Sequence, residues 1–343
     1  MRPLTRWIVF PALLAALAAC GDSARERPVQ ELVGSTMGTT FSVKVIAPPE
    51  SLDLAGLRTD IEAALDGINR SMSTYLSDSE LSRFNASDST DWIEVSPELC
   101  HAIEAAQVVS EFTGGAFDVT VGPLVNLWGF GPTESTQEPP PNDAITAAMQ
   151  YVGHTKLQAD CTIPALRKDA PGVYVDLSAF AKGHAADVVA EVLDTRNLPD
   201  YLIEIGGEMR LRGTNARSEP WAIAVEKPDR AGRSIQSVVH LTDSAMATSG
   251  DYRNYFEHAG RFYSHTIDPR TGYPVTHDAA SVTVIAQTAA FADAAATALL
   301  VLGPDAGMKF AEQENIAAYF LVRLGNEFEE RMTSLFATKV LAK

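Results

Sequence analysis

The sequence predicts an α+β layer fold, and two observations carry that prediction. Segments with helical spacing and segments with strand alternation are interleaved without a regular β-α order, and the second half is richer in strands. At 343 residues and 46% hydrophobic, the chain has ample apolar material for a core. No internal repeat and no sharp boundary divides it. Residues 31–343 are therefore read as a single domain behind a leader (1–19) and a polar tether (20–30).

The elements follow in order. Residues 39–48, TTFSVKVIAP, alternate like a strand with Phe41, Val43 and Val45 on one face. Residues 54–73 place Leu57, Ile61, Leu65 and Ile68 at helical spacing. A second helix starts after Ser96-Pro97, a capping serine with proline at the first helical position. Residues 129–143, rich in proline and polar groups, read as a surface loop. A short helix (142–150), a strand near GVYVDLS (172–178) and a helix from Ala181 to Thr195 come next. Strands are then expected over 201–213, 221–228, 234–250, 261–269 and 279–287. Two helices (289–302 and 304–314) and a strand (316–324) complete the reading.

Charge and the N-terminus narrow the function. A formal net charge of -17 argues against a nucleic-acid partner, because phosphate binding calls for a basic face. Arg2 and Arg6 precede a short apolar run (7–19) that ends in Leu17-Ala18-Ala19-Cys20. This is a secretory leader, too short for a comfortable span, closing in a pattern like a bacterial lipobox. Cleavage before Cys20 would leave a lipidated cysteine, a membrane anchor on the periplasmic side. Cys100 and Cys161 then remain. They could pair in an oxidising compartment, but Leu99, Ile103 and Ala106 surround Cys100 with helical spacing and favour a buried free thiol.

Five clusters carry candidate chemistry. In TGGAFDVTVGPL (113–124), Gly114-Gly115 makes either a plain turn or a backbone approach to a flat ring at Ala116, Phe117 and Asp118. In DLSAFAKGHAAD (176–187), Asp176 ends a strand and Lys182 opens a helix, whose N-terminus favours anions, although Ser178 could simply be the cap. In IEIGGEMRLRG (203–213), Gly206-Gly207 suggests a bulge or a ligand contact. His265, Asp268 and Arg270 crowd a segment closed by the turn PRTGYP. His265 is an acid/base candidate or a structural histidine. Finally, FADAAATALL (291–300) puts Asp293 and Thr297 one helical turn apart in an alanine-rich helix. Two oxygen donors suit a hard cation such as Mg²⁺, unless Asp293 merely caps the helix.

Taken in order, GSTMGTTFSV, MSTYLSDSELSRFN, TGGAFDVTVGPLVNLWGFG, DLSAFAKGHAAD, IEIGGEMRLRG, ATSGDYRNYF, YSHTIDPRTGYPV and ADAAATALLVLG resemble the ApbE family, the FAD:protein FMN transferases, from about residue 33 to 324. The resemblance implies a T-fold-like architecture of mixed, mainly antiparallel sheets packed by helices. It implies FAD contacts at Met37, Tyr75, Ala116, Phe117, Asp118, Asp176, Lys182 and Ile267. It also implies a Mg²⁺ site at the Ala179 carbonyl oxygen, Asp293 and Thr297, with His265 near the reacting phosphate and Asp268 as the other candidate base. One departure is His184, where many members carry tyrosine. The implied reaction moves FMN from FAD to a threonine or serine of an acceptor protein, releasing AMP. The implied acceptors are subunits of membrane redox pumps, the sodium-pumping NADH:quinone reductase and Rnf-type complexes. FAD hydrolysis to FMN and AMP, or FAD binding without turnover, would use the same residues.

Overall fold

Eight strands form one antiparallel meander in which sequence neighbours are also spatial neighbours. They are Val29–Thr36, Thr39–Ile46, Tyr201–Ile205, Glu208–Arg212, Ser244–Gly250, Ala279–Ala286, Ala317–Leu324 and Glu327–Met332. This computed structural model describes residues 26–132, 137–229, 232, 234–325 and 327–341, so the leader and Cys20 lie outside the described residues. Arg27 already pairs with Asp200 (2.7 Å), and the first strand starts at Val29, inside the segment read as tether.

All but the last helix is inserted between the strands. The second and third strands are separated by α1 (Leu54–Met72), α2 (Glu80–Ala86), α3 (Pro97–Phe112), α4 (Gly122–Leu127), α5 (Asn142–Met149) and α6 (Ala181–Thr195). A ribbon of Trp221–Glu226 and Ile235–Leu241 follows the fourth strand. Two small hairpins follow the fifth: Tyr255–His258 with Arg261–Ser264, and Ile267–Asp268 with Tyr273–Pro274. Helix α7 (Ala289–Gln313) joins the sixth and seventh strands, and α8 (Ser334–Leu341) follows the eighth. Strand alternation gives the sheet two apolar faces. Phe41, Val43 and Ile203 pack with Ile61 of α1, Val189 of α6 and Ala294 of α7 on one face. Leu211, Met246 and Tyr319 pack with Ile223 of the ribbon and Phe336 of α8 on the other.

The periodic segments fold as expected. Helix α1 buries Leu57, Ile61, Leu65 and Ile68, and Asp53 caps it by accepting from Gly56 N (3.0 Å). Ser96 caps α3, with Pro97 as its first residue. Helix α7 is long and apolar enough to cross a membrane, yet most of its apolar stretch is buried in this core. Gly303 (φ 80°, ψ 176°) and Pro304 interrupt it between the two helices expected there.

Several expectations are corrected. Cys100 is not a free thiol: it forms a disulfide with Cys161, with Cα atoms 5.7 Å apart. Linking residues 61 apart restricts the unfolded chain by as much as about 4 kcal/mol in the loop-entropy view. Residues 172–178 form no ladder. The Asn85 side chain pairs with both backbone groups of Val175 (2.8 Å each), and Asp176 N donates to Val119 O (2.7 Å). The segment is extended because a side chain replaces the missing strand. Residues 201–213 hold no bulge: Gly206 (φ 62°) and Gly207 (φ 108°) form a two-residue turn between paired strands. Residues 234–250 and 261–269 each break into two strands.

Candidate active site

Helix α6 lies across the strand Glu208–Arg212, and three ion pairs fasten it there. Lys182 meets Glu208 (2.6 Å), Asp187 meets Arg210 (3.5 Å) and Asp194 meets Arg212 (2.7 Å). The strand supplies them through alternation. Glu208, Arg210 and Arg212 pair with the buried Ile205, Ile203 and Tyr201, so they share the helix-facing side. Helix α7 packs on α6 at Gly183, where an added Cβ would lie 2.2 Å from Ala289 O. Asp187 accepts from Ala289 N and Ala290 N (2.9 Å each), and Thr288 caps α7 by accepting from Phe291 N. Thr288 and Asp187 thus do the capping, and Asp293 lies one turn further in. Its carboxylate is buried, accepts from Gly183 N (3.2 Å) and stands 3.8 Å from Lys182 Nζ.

These elements border a cavity of about 780 Å³, within the range typical of small-molecule sites. Lys182, Ala179, Asp293, Thr297 and His265 all line it. So do Tyr75, Ala116, Phe117, Asp118, Asp176 and Ile267. Two predicted residues are not among its lining. Met37 occupies the first hairpin turn with φ 49° and packs against the core, and Asp268 is held by Arg270 through two bonds of 2.9 Å. Arg270 is correspondingly committed to Asp268. The Asp118 carboxylate accepts from Thr120 N, Thr120 Oγ1 and His154 N (2.8, 2.6 and 2.7 Å), so its side chain shapes the loop that presents Phe117. Asp176 accepts from Ser178 N and Oγ (2.8 and 2.5 Å), while α6 has no side-chain cap. Ser178 is thus no helix cap, and the α6 N-terminus opens beside the cavity.

Burial sets the electrostatics. Burial pushes Asp293 above the usual carboxylate range, against the pull of Lys182 and the Gly183 N–H. Burial and the neighbouring Asp293 charge push Glu208 up to about 7, with Lys182 opposing. Burial alone would lower Lys182, but Asp293 and Glu208 outweigh it and hold its ammonium charged. Burial pulls His265 below its ordinary value, so the ring is neutral at pH 7. His265 Nδ1 lies 2.9 Å from Asn254 O, a group that only accepts. The proton therefore sits on Nδ1, and Nε2 keeps its lone pair. Thr297 Oγ1 shares a hydrogen bond with Ser249 Oγ (2.9 Å).

Glu208, Gly183, Asp187 and Ser249 were not singled out from sequence. Glu208 carried no local signal: it shares the polar positions of EMRLR with Arg210 and Arg212, and only the two-residue turn that pairs it with Ile205 puts it on the helix-facing side. Among the described residues, His101, Glu104 and Cys161 also lie close enough for a metal, but the Cys161 sulfur is taken by the disulfide.

A buried charged network beside an oriented, neutral histidine in one cavity defines an enzyme site. The chain belongs to the ApbE family, whose model matches residues 37–320. It is 43% identical over 342 residues to the FAD:protein FMN transferase of Haemophilus influenzae, covering 98% of each chain. It is 43% identical over 335 residues to the enzyme of the same name from Vibrio cholerae, covering 97% of this chain and 98% of that one. Its fold matches the flavin transferase ApbE from Vibrio cholerae with a TM-score of 0.83 at 42% identity, covering 91% of this chain and 100% of that one. It matches the apo form of the Pseudomonas stutzeri flavinyl transferase ApbE with a TM-score of 0.85 at 37% identity, covering 93% and 98%. The α+β class and the antiparallel architecture expected from sequence are those of this family.

Proposed function

We propose that this chain transfers FMN from FAD to a threonine or serine hydroxyl of an acceptor protein, releasing AMP. The supporting observation is the convergence of Lys182, Asp293, Thr297 and His265 on one cavity. The acceptor hydroxyl oxygen attacks the FMN-side phosphorus, its proton passes to His265 Nε2, and the bond to the AMP phosphate oxygen breaks. Lys182 neutralises pyrophosphate charge, and the positive end of the α6 dipole favours it. Tyr75, exposed at the cavity, and Phe117 offer faces to a flat ring. Little covalent chemistry is asked of the protein, so positioning and electrostatics dominate.

The residues present fit a magnesium ion. Asp293 and Thr297 offer hard oxygens one turn apart, with the Ala179 carbonyl oxygen as the third donor. Lys182 carries one positive charge between two buried carboxylates, and Glu208 Oε2 is buried without a partner. Bound there, the ion would supply Lewis-acid stabilisation to phosphate oxygens.

His265 is the preferred base over Asp268, whose two oxygens are held by Arg270. Because the working form is neutral and its pKa is lowered, transfer should be flat around pH 7 and fall in acid, below about pH 6.5. His265→Gln should cost about 100-fold in rate and lose that acidic limb. An unchanged rate–pH profile in the variant would remove His265 from proton transfer.

The acceptors proposed are subunits of membrane redox pumps, of the sodium-pumping NADH:quinone reductase or Rnf type. The family resemblance supports this, and the lipobox at Cys20 supports anchoring at the periplasmic face of the inner membrane. Cys20→Ala protein should move from the membrane pellet to the soluble fraction; continued sedimentation would end the anchor reading. Incubation with FAD, Mg²⁺ and candidate acceptor subunits, read as covalent flavin fluorescence on a denaturing gel, tests the reaction. Release of FMN and AMP with no labelled acceptor would identify a hydrolase instead.

A further inference from the structure

We propose that Glu208 is a positioning residue that holds the Lys182 ammonium off Asp293 and so keeps that carboxylate free for a divalent cation. The inference rests on the reading of Asp293 as a cation ligand and adds a residue to that site.

Geometry is the first support. Lys182 Nζ is 2.6 Å from Glu208 Oε1 and 3.8 Å from Asp293 Oδ2, so its hydrogen bond goes to Glu208 alone of the two. Both carboxylates are buried, at 6% and 5% side-chain exposure, which makes any uncompensated charge there costly. Without Glu208, the nearest anion for the ammonium is Asp293. A shift of about 1 Å would turn Asp293 into the lysine's hydrogen-bonded partner and set Lys182 in competition with a cation. Glu208 is well placed to prevent this. It follows the Gly206-Gly207 turn directly and pairs with Ile205, so a tight hairpin fixes its backbone. The lysine stem is confined too: a Cβ at Gly206 would come within 3.2 Å of Lys182 Cδ.

The polarity of the ion-pair ladder is the second support. In the other two rungs the strand gives arginine and α6 gives aspartate. Here the order is reversed, with lysine on the helix and glutamate on the strand. Lys182 is the second residue of α6, where the helix dipole disfavours a cation. Helix stability does not explain that placement, whereas a ligand in the cavity does. Once the lysine stands there, beside Asp293, something must hold it, and Glu208 makes the short contact.

A double-mutant cycle read by metal uptake separates this role from simple charge loss or simple structural support. Mg²⁺ binding to the purified protein without FAD is measured by calorimetry, with Mn²⁺ paramagnetic resonance as a second probe. Glu208→Ala should weaken binding about tenfold, the low end for groups that orient metal ligands. In a Lys182→Met background the same substitution should change affinity less than about twofold, because no ammonium remains to be held. Should the alanine variant not fold, Glu208→Gln serves in both backgrounds, with a smaller loss confined to the lysine-containing protein. Equal weakening in both backgrounds would make Glu208 a remote charge and overturn the proposal, as would no weakening in either. Failure of the unsubstituted protein to bind Mg²⁺ or Mn²⁺ would refute the cation reading itself, and the proposal with it.

Discussion

Asp293→Asn is expected to lower flavin transfer by about 100- to 1000-fold while leaving the melting temperature unchanged or raised. The two effects have different origins. Loss of transfer follows from replacing an anionic oxygen donor by a neutral amide, a change of about 3 to 4 kcal/mol in the barrier. The stability effect follows from burial. The folded state raises the Asp293 pKa, so it binds that proton more tightly than the unfolded chain does. Stability linked to this group is therefore present in acid and lost as pH rises above the ordinary carboxylate range and through the raised value. A neutral side chain of the same shape avoids that loss and still accepts from Gly183 N, the contact the aspartate makes at 3.2 Å. Asp293→Ala is a poorer choice: it strands the buried Gly183 N–H at a cost of about 1–3 kcal/mol. The sequence reading, which gave Asp293 either a cation or the cap of its own helix, did not contain that contact. Gel fluorescence and a thermal melt on the same preparation check both parts. Wild-type transfer by the Asn variant would sink the metal role of Asp293.

That case shows which parts of the molecule were legible in the sequence. Helices α1 and α6 and the strands with inward Phe41 and Ile203 could be read because each buries one periodic face, and α7 and the strand with Val282 because they are apolar runs buried on nearly every side. The two edges of the sheet could not. Val29–Thr36 and Glu327–Met332 are largely exposed and polar, as edge strands often are, and so lack the apolar alternation that announces a strand. GVYVDLS had that signal without a ladder, because the Asn85 side chain supplies the pairing. The disulfide was hidden for a different reason. The spacing around Cys100 reports only that its helix face is buried, whereas pairing depends on how α3 meets a segment 61 residues away. In the site, individual residues such as Asp293 and Lys182 were visible, but their supports were not. Glu208, Gly183 and Asp187 act through contacts between elements distant in sequence, and local patterns do not encode those.

Gly183→Ala should show how far the site depends on such a contact. Intrinsic propensity favours the substitution by about 1 kcal/mol in a helix interior. Packing opposes it: the new Cβ would lie 2.2 Å from Ala289 O, 2.6 Å from Ala289 C and 2.9 Å from Ala290 Cα. All three are backbone atoms of α7, so no side chain can swing aside and the two helices must separate. Overpacking of this kind costs about 1–3 kcal/mol, enough to outweigh propensity. Separation would also loosen the Asp187 cap on Ala289 N and Ala290 N and the Gly183 bond to Asp293. Those contacts set the distance between Lys182 and Asp293, so transfer should fall at least tenfold beyond any loss of folded protein. The alanines of FADAAATALL gain a reason here, since Ala292, Ala294, Ala295, Ala296 and Ala298 are all buried where α7 meets its neighbours. Gly67 in α1 is the control, because an added Cβ there meets nothing within 4 Å. Gly67→Ala should raise stability by up to about 1 kcal/mol and leave transfer intact. If both alanines raised the melting temperature equally, close contact between α6 and α7 would not be what fixes the site.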